Sequence, residues 1–168
     1  MSKIYIGVDN GVTGTIGIIY PDGEYYFSKI PVKTEQSYTK TKQNITRIDN
    51  IALLNLFTSI KKENEESSFF AFIERPMVNP GRWKASISAV RCLESVLIIF
   101  ECLEIPYQYI DSKEWQKKFL PSGLEGKALK KGSCDIAIRL FPKEQVLIKK
   151  HKDGDSLLIA EYAKRKGL

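Results

Sequence analysis

The segment IGVDNGVTGT, residues 6–15, restricts the fold more than any other stretch of the chain. An apolar run that ends on an acid, Asp9, and passes at once into Gly11, Thr13, Gly14 and Thr15 reads as a buried strand delivering a carboxylate to a tight turn. Three strand-like runs precede any helical pattern: KIYIGVD (3–9), TIGIIYP (15–21) and EYYFSKIPV (24–32), with the turn signal PDG at 21–23 joining the last two. Together they predict an antiparallel meander.

Beyond the meander, KTEQSYTKTKQN (33–44) is polar and without period, which predicts a solvated loop. Helical spacing then appears in ITRIDNIALLNLFTSIKKENEE, where Ile48, Ile51, Leu54 and Ile60 fall near one stripe and Asp49 or Asn50 caps the start. FFAFIE (69–74) predicts a buried strand, Lys84 to Leu103 a second helix, and IPYQYI another strand. Ser112 is placed to cap a short helix containing Trp115, a further helix runs from Lys127 to Leu140, and the last begins at Asp153 or Asp155. Strands separated by helices run parallel through crossovers. The order therefore predicts an α/β fold whose five-stranded mixed sheet combines the meander with two parallel strands and is flanked by helices. No internal repeat or domain linker interrupts it.

At 168 residues the chain fits one domain. Its formal charge of +6 suits a polyanionic partner without requiring one. Cys92, Cys102 and Cys134 form no C-x-x-C pair, so neither a disulfide framework nor a cysteine zinc site is expected, and a reducing cytoplasm is. VLIIF at 96–100, bounded by Glu94, Glu101 and Glu104, is far short of a membrane span, and MSKIYIGVD lacks the features of a signal peptide.

The acids fall at particular places in this order. Asp9 closes the first strand, Glu74 closes FFAFIE, and Asp153 and Asp155 open the final helix. If the first and fourth strands are parallel neighbours, their ends stand about 4.8 Å apart at the carboxyl edge, where open α/β sheets bind ligands. Carboxylates so close repel unless a cation compensates, and hard ions such as Mg²⁺ or Mn²⁺ prefer oxygen ligands. Two such ions about 3.5 to 4 Å apart activate a water and stabilise the leaving oxygen of a phosphodiester. With one histidine, His151, and no cysteine motif, zinc is disfavoured. Each acid also has a plainer reading: Asp9 as a turn cap, Glu74 as a strand-end charge, Asp153 or Asp155 as a helix N-terminal acid. The functional reading rests on their conjunction.

The opening IGVDNGVTGTIGII, the strand FIERP, IDSKEWQKKF, GKALKKGSCDIAIRLFP and the closing DSLLIAEYAKR, taken in order, resemble RuvC-type Holliday junction resolvases, in particular the compact forms encoded by bacteriophages. The resemblance implies an RNase H-like fold, a homodimer, two divalent ions per site and paired cuts in a four-way DNA junction. By position it assigns catalysis to Asp9, Glu74 and Asp155. One departure stands out: the family places an acid or histidine three residues before the last aspartate, and this chain has Lys152. Asp153 and His151 flank it. Residues two apart on a helix do not share a face, so Asp153 joins Asp155 only if it lies at or before the N-cap, which Gly154 permits. Asp153 ranks above His151 for the fourth place.

Gly11 and Gly14 let the turn curl back and leave room for a phosphate near Asp9, and Thr13 serves that turn or the phosphate. Lys113, Lys117, Lys118, Lys127, Lys130 and Lys131 surround Trp115 and the loop PSGLEGK, while Lys149, Lys150 and Lys152 adjoin the acids; each is a candidate for a DNA phosphate or for an ordinary solvated face. Arg82, Trp83 and Lys84, just beyond Glu74, are candidates to probe a junction's open centre, with Trp83 stacking on a base or else partly packed. The surplus apolar surface of SAVRCLESVLIIFECL fits either a dimer seam or a buried core helix. Two rival functions remain: a branched-DNA-binding module that has lost catalysis, supported by Lys152, and an actin-like phosphotransferase, whose first phosphate loop IGVDNGVTGT also resembles. The latter needs two domains and a second glycine-rich motif, which this sequence does not offer.

Overall fold

A computed structural model describes residues 2–168. In Lys3–Asp9 (β1) the side chains of Ile4, Ile6 and Val8 alternate with those of Tyr5, Gly7 and Asp9, so the strand divides its residues between two faces. It pairs antiparallel with Thr15–Ile19 (β2), which pairs antiparallel with Tyr25–Lys29 (β3). Ser68–Glu74 (β6) adds to the other side of β1 in parallel, and Tyr107–Ile110 (β7) adds in parallel to β6. The sheet order β3-β2-β1-β6-β7 is the expected five-stranded mixed sheet.

Two helical layers cover the sheet. On one face Ile4, Ile6, Val8, Ile16, Ile18 and Ile73 pack against Asn50–Glu63 (α1) and Trp83–Cys102 (α2). On the other, Ile19, Phe27, Phe72 and Ile110 pack against Ser112–Phe119 (α3), Gly126–Leu140 (α4), Gln145–His151 (α5) and Asp155–Lys166 (α6). Burying a large aliphatic side chain contributes about 1.5–3 kcal/mol, so these faces are the main stabilising term. Helix α6 lies directly on the strands because Gly7 and Gly17 face it. A Cβ on Gly7 would stand 2.0 Å from the Ser156 carbonyl oxygen, and one on Gly17 2.6 Å from the Leu157 nitrogen.

Several expectations are corrected. Residues 33–44 are not simply a loop: Val32–Gln36 (β4) and Asn44–Ile48 (β5) form a two-stranded antiparallel ribbon, separate from the main sheet. Its register sets Val32 opposite Ile48 and Thr34 opposite Thr46, so β-branched cross-strand pairs hold an otherwise polar ribbon together. The ribbon takes Ile45–Ile48 away from the first helix, which starts at Asn50, with Asp49 accepting the Ala52 N–H at 3.1 Å as its cap. The buried stripe is Leu53, Phe57 and Ile60; Ile51 is 71% exposed and Leu54 37%. Asp111, not Ser112, occupies the cap position of α3, and neither side chain makes a capping bond there. The third strand ends at Lys29, before Pro31. The sequence also gave no sign of the short helix α5, whose carbonyls are closed by a left-handed Lys152.

Candidate metal centre and nucleic-acid interface

Val8 stands opposite Ile73 in the parallel pair β1–β6, so Asp9 and Glu74 are side by side at the carboxyl edge. They share a face as well. Gly7 lies opposite Phe72, whose ring belongs to the α6-side core, and Asp9 and Glu74 follow these two residues by one full strand period. The close seat of α6 then brings Asp155, its first residue, onto the same edge. Gly14 completes the cradle, since a Cβ there would lie 2.0 Å from the Asp9 carbonyl oxygen.

Asp153 reaches the site through a break between helices. Lys152 takes φ 53°, ψ 37° and turns the chain inward, so Asp153 is 7% exposed while Lys152 is exposed. Gly154 is the N-cap of α6, which places Asp153 just outside the helix; its Oδ1 accepts the Asp155 N–H at 2.9 Å. Ligand atoms of Asp9, Asp153 and Asp155 lie within 4.8 Å of one another. Glu74 stands outside that trio but within hydrogen-bonding reach of Asp9. Its Oε1 accepts the indole N–H of Trp115 at 3.2 Å.

The electrostatics follow from crowding and burial. Asp9 is pushed well above the usual carboxylate range, first by burial and then by Asp153 and Glu74. Burial and then Asp153 push Asp155 up to about 7, opposed in part by the Ser133 hydroxyl, which donates to Asp155 Oδ1. Among the described residues, no Lys, Arg or His forms an ion pair with any of the four acids. The buried hydroxyls of Thr15, opposite Asp9 in the β1–β2 register, and Ser156, next to Asp155, have no hydrogen-bond partner. A cluster of oxygen donors with no cationic side chain paired to it among the described residues is compatible with a hard divalent ion.

The other candidate residues occupy different ground. His151 lies against Phe27, ring centroids 6.0 Å apart, and its pKa is lowered by burial and by Lys29 and Lys150; it is not among the clustered acids. Lys127, Lys130, Lys131, Lys149 and Lys152 join His151 around a cavity of about 560 Å³ between α4 and α5. Lys113 and Lys117 line a second, of about 500 Å³, with the loop Pro121–Gly126. Lys118 and Lys150 are exposed, as is Thr13 in the turn after Asp9. Arg82 shares a cavity of about 290 Å³ with Glu74, Asn10, Arg75 and Ser112, whereas Trp83 is 66% exposed and Lys84 exposed at the start of α2.

Sequence reasoning missed three residues at this edge. Trp115, read only as part of a basic segment, is fully buried against Glu74. Ser133 holds Asp155, and the Asn10 amide donates to the Ala89 carbonyl at 3.0 Å, tying the turn to α2. Only Trp115 left a trace in the sequence: a bulky ring in a short, polar, lysine-rich helix needs somewhere to be buried.

No protein-family model and no curated protein matches the chain by sequence. Solved structures do match it by fold. Thermus thermophilus RuvC in complex with a Holliday junction substrate matches with a TM-score of 0.62 over 98% of this chain and 96% of that one, at 11% identity. A second structure of Thermus thermophilus RuvC matches with a TM-score of 0.51 over the same shares, at 12% identity. The chain therefore has the RuvC-type, RNase H-like fold.

Proposed function

We propose that this protein is a structure-selective endonuclease that cuts four-way or other branched DNA by metal-dependent phosphodiester hydrolysis. The observation that carries the reading is the meeting of Asp9, Asp153 and Asp155, with Glu74 beside them, at the carboxyl edge of a RuvC-type sheet, with no cationic partner among the described residues. The fold's likeness to a resolvase in complex with its junction supports the substrate class.

Asp9, Asp153 and Asp155 would hold Mg²⁺ or Mn²⁺, and Glu74 would complete a two-ion site. Such ions supply Lewis acidity to the phosphodiester and lower the pKa of a bound water. The protein's own residues do the rest. The sheet fixes Asp9 and Glu74, the left-handed turn at Lys152 directs Asp153 inward, and Ser133 orients Asp155. Lys127, Lys130, Lys131, Lys149, Lys150 and Lys152 draw the DNA backbone to the flank of the acids, and Lys113, Lys117 and Lys118 extend that surface. Thr13 faces a phosphate from the turn after Asp9. Arg82, Trp83 and Lys84 meet the junction centre, where the exposed Trp83 offers a stacking face. Exposed Val90 and Ile98 on α2 provide the seam of a homodimer, which would set two such sites for paired cuts. The whole chain acts as one nuclease domain in the cytoplasm. Among the described residues, no helix is long and apolar enough to cross a membrane.

Incubating the protein with a synthetic four-way junction and with linear duplex, in Mg²⁺ or in chelator, tests this directly. The expected result is paired nicks in the junction, only with metal. A junction that is bound but never cut identifies a non-catalytic module of the same fold and overturns the nuclease reading.

A further inference from the structure

We infer that Trp115 is a positioning residue for Glu74, and through it for the metal site; this rests on the nuclease reading. Trp115 is the single fully buried side chain of α3, a helix whose other residues are polar apart from the half-buried Phe119 at its end. An indole carries one N–H donor and no acceptor, and when buried it needs a partner. Here the partner is Oε1 of Glu74, at 3.2 Å.

The bond follows from the topology. Glu74 stands opposite Ile110 in the β6–β7 pair, and the Arg75 N–H donates to the Ile110 carbonyl, so β7 leaves the sheet directly beside Glu74. Asp111 then starts α3, and Trp115 falls in its first turn and a half, packed with Ile110 and the α6 residues of the same core. The ring is thereby fixed on the protein's interior side of the carboxylate. Its chemistry suits the place. An Arg or Lys would also hold Glu74 but would cancel the negative charge on which the cluster's affinity for a cation depends. A neutral N–H fixes the carboxylate's orientation and leaves that charge in place, as the partners of metal ligands generally do.

Trp115→Phe keeps an aromatic ring and removes the donor. Mn²⁺ affinity, read from the free-ion electron paramagnetic resonance signal, is expected to weaken about 10–100-fold, the usual cost of losing a ligand's partner. Cleavage at low metal falls and recovers at high metal, while junction affinity in chelator stays unchanged. In a Glu74→Ala background, which removes the acceptor, the same substitution is expected to change Mn²⁺ affinity no further. Wild-type Mn²⁺ affinity in folded Trp115→Phe overturns this inference alone; a wild-type protein that binds no Mn²⁺ overturns the nuclease reading with it. A second measurement needs no change at Trp115. The chain has 2 tryptophans, so Trp83→Phe leaves Trp115 as the only one, and bound Mn²⁺ is expected to quench its fluorescence. Unquenched emission at saturating Mn²⁺ contradicts the proposed proximity.

A separate observation concerns the β4–β5 ribbon, which we propose as an additional arm for the same branched DNA. Asp9 pairs with Thr15 and Thr15 with Lys29, so β3 ends on the acidic edge and the ribbon leaves from there. Its only acid, Glu35, is engaged by Arg47 at 2.7 Å and by Lys33 at 3.6 Å. The tip at 37–43 holds Lys40 and Lys42, no acid, and a Tyr38 that is 75% exposed beneath the Arg91 guanidinium, 5.5 Å from its ring centroid. A two-stranded ribbon has the width of a DNA major groove, and Lys40 and Lys42 at its tip, in no ion pair among the described residues, match phosphates. Lys40→Glu with Lys42→Glu is expected to weaken junction binding about tenfold and to reduce the salt slope by up to about 2, with the cutting rate of bound junction retained. Unchanged affinity and slope in this double variant overturn the arm; a wild-type protein that ignores junctions overturns the nuclease reading instead.

Discussion

Acids at positions 9, 74, 153 and 155 meet at one edge of the sheet, whereas the lysines of α4 and α5 stand apart on the surface beside them. Asp9 and Asp155 are crowded and largely desolvated, and neutral donors hold two of the four acids, Ser133 on Asp155 and Trp115 on Glu74. The lysines are exposed, and among the described residues no ion pair fixes any of those on α4 and α5. The difference teaches where specificity of structure is needed. A metal centre of the proposed kind would tolerate little displacement, and this edge is shaped by glycines, a left-handed turn and buried donors; attraction to a polyanion is additive and needs only proximity. The acidic edge should therefore respond to single substitutions all at once, and the basic flank by degrees.

The largest effect is expected at Asp9. Asp9→Asn keeps the shape of the side chain and removes the central charge, and junction cleavage should fall on the order of 10³-fold. Gel-shift affinity for the junction in chelator should be retained. Equal loss of binding and cleavage by a folded variant would erase the distinction between the two regions.

Next comes the pH dependence of the metal-free protein. Folded Asp155, at about 7, and Asp9, raised well above the usual range, keep protons that the unfolded chain releases near pH 4. The folded state then binds more protons across that window, so stability is present below about pH 4 and is lost as pH rises toward 7 and beyond. The loss is on the order of a few kcal/mol. Thermal unfolding in chelator at pH 5 and pH 8 measures it. Added Mg²⁺ should act the opposite way, stabilising the protein more at pH 8, because ligation requires the deprotonated carboxylates. Equal midpoints at both pH values in chelator would mean that the acids are less crowded than they stand in this fold.

A smaller effect is expected from Ser133→Ala, which removes the hydroxyl that holds Asp155: about 10–100-fold in metal affinity, with little change in junction binding. Smallest of all are single lysine substitutions. Lys130→Gln should weaken junction binding only a few-fold and lower the slope of log affinity against log salt by about 1, with the maximum cleavage rate preserved. A single lysine whose loss abolishes binding would show that the flank is a built site rather than a diffuse field.

The same contrast decides how much could be read from the sequence. The strands KIYIGVD and FFAFIE announce themselves by apolar runs ending in acids, and their separation by helices forces the parallel pairing that joins Asp9 to Glu74. The β4–β5 ribbon was not legible, because its strands are exposed and polar and are held by cross-strand pairs that periodicity does not record. In the first helix the expected stripe holds only at Ile60: Ile51 and Leu54 are as apolar as Leu53 and Phe57, and the structure buries the second pair, with Leu56 packed beside it. At the site, Gly154 permits Asp153 to lie outside the helix, and the structure puts it there, one residue before the N-cap. The left-handed turn at Lys152 was hidden, since a lysine gives no warning of positive φ. Ser133 was hidden too, as a small polar residue in an amphipathic helix reads like any other.

The exchange of protons for a cation at the acidic edge is most directly measured by calorimetric titration of Mg²⁺ into the metal-free protein at pH 7, in two buffers of different ionisation enthalpy. The metal centre predicts saturable binding with net proton release, lost in folded Asp9→Asn. Absence of binding, or binding that is indifferent to Asp9→Asn, would contradict it.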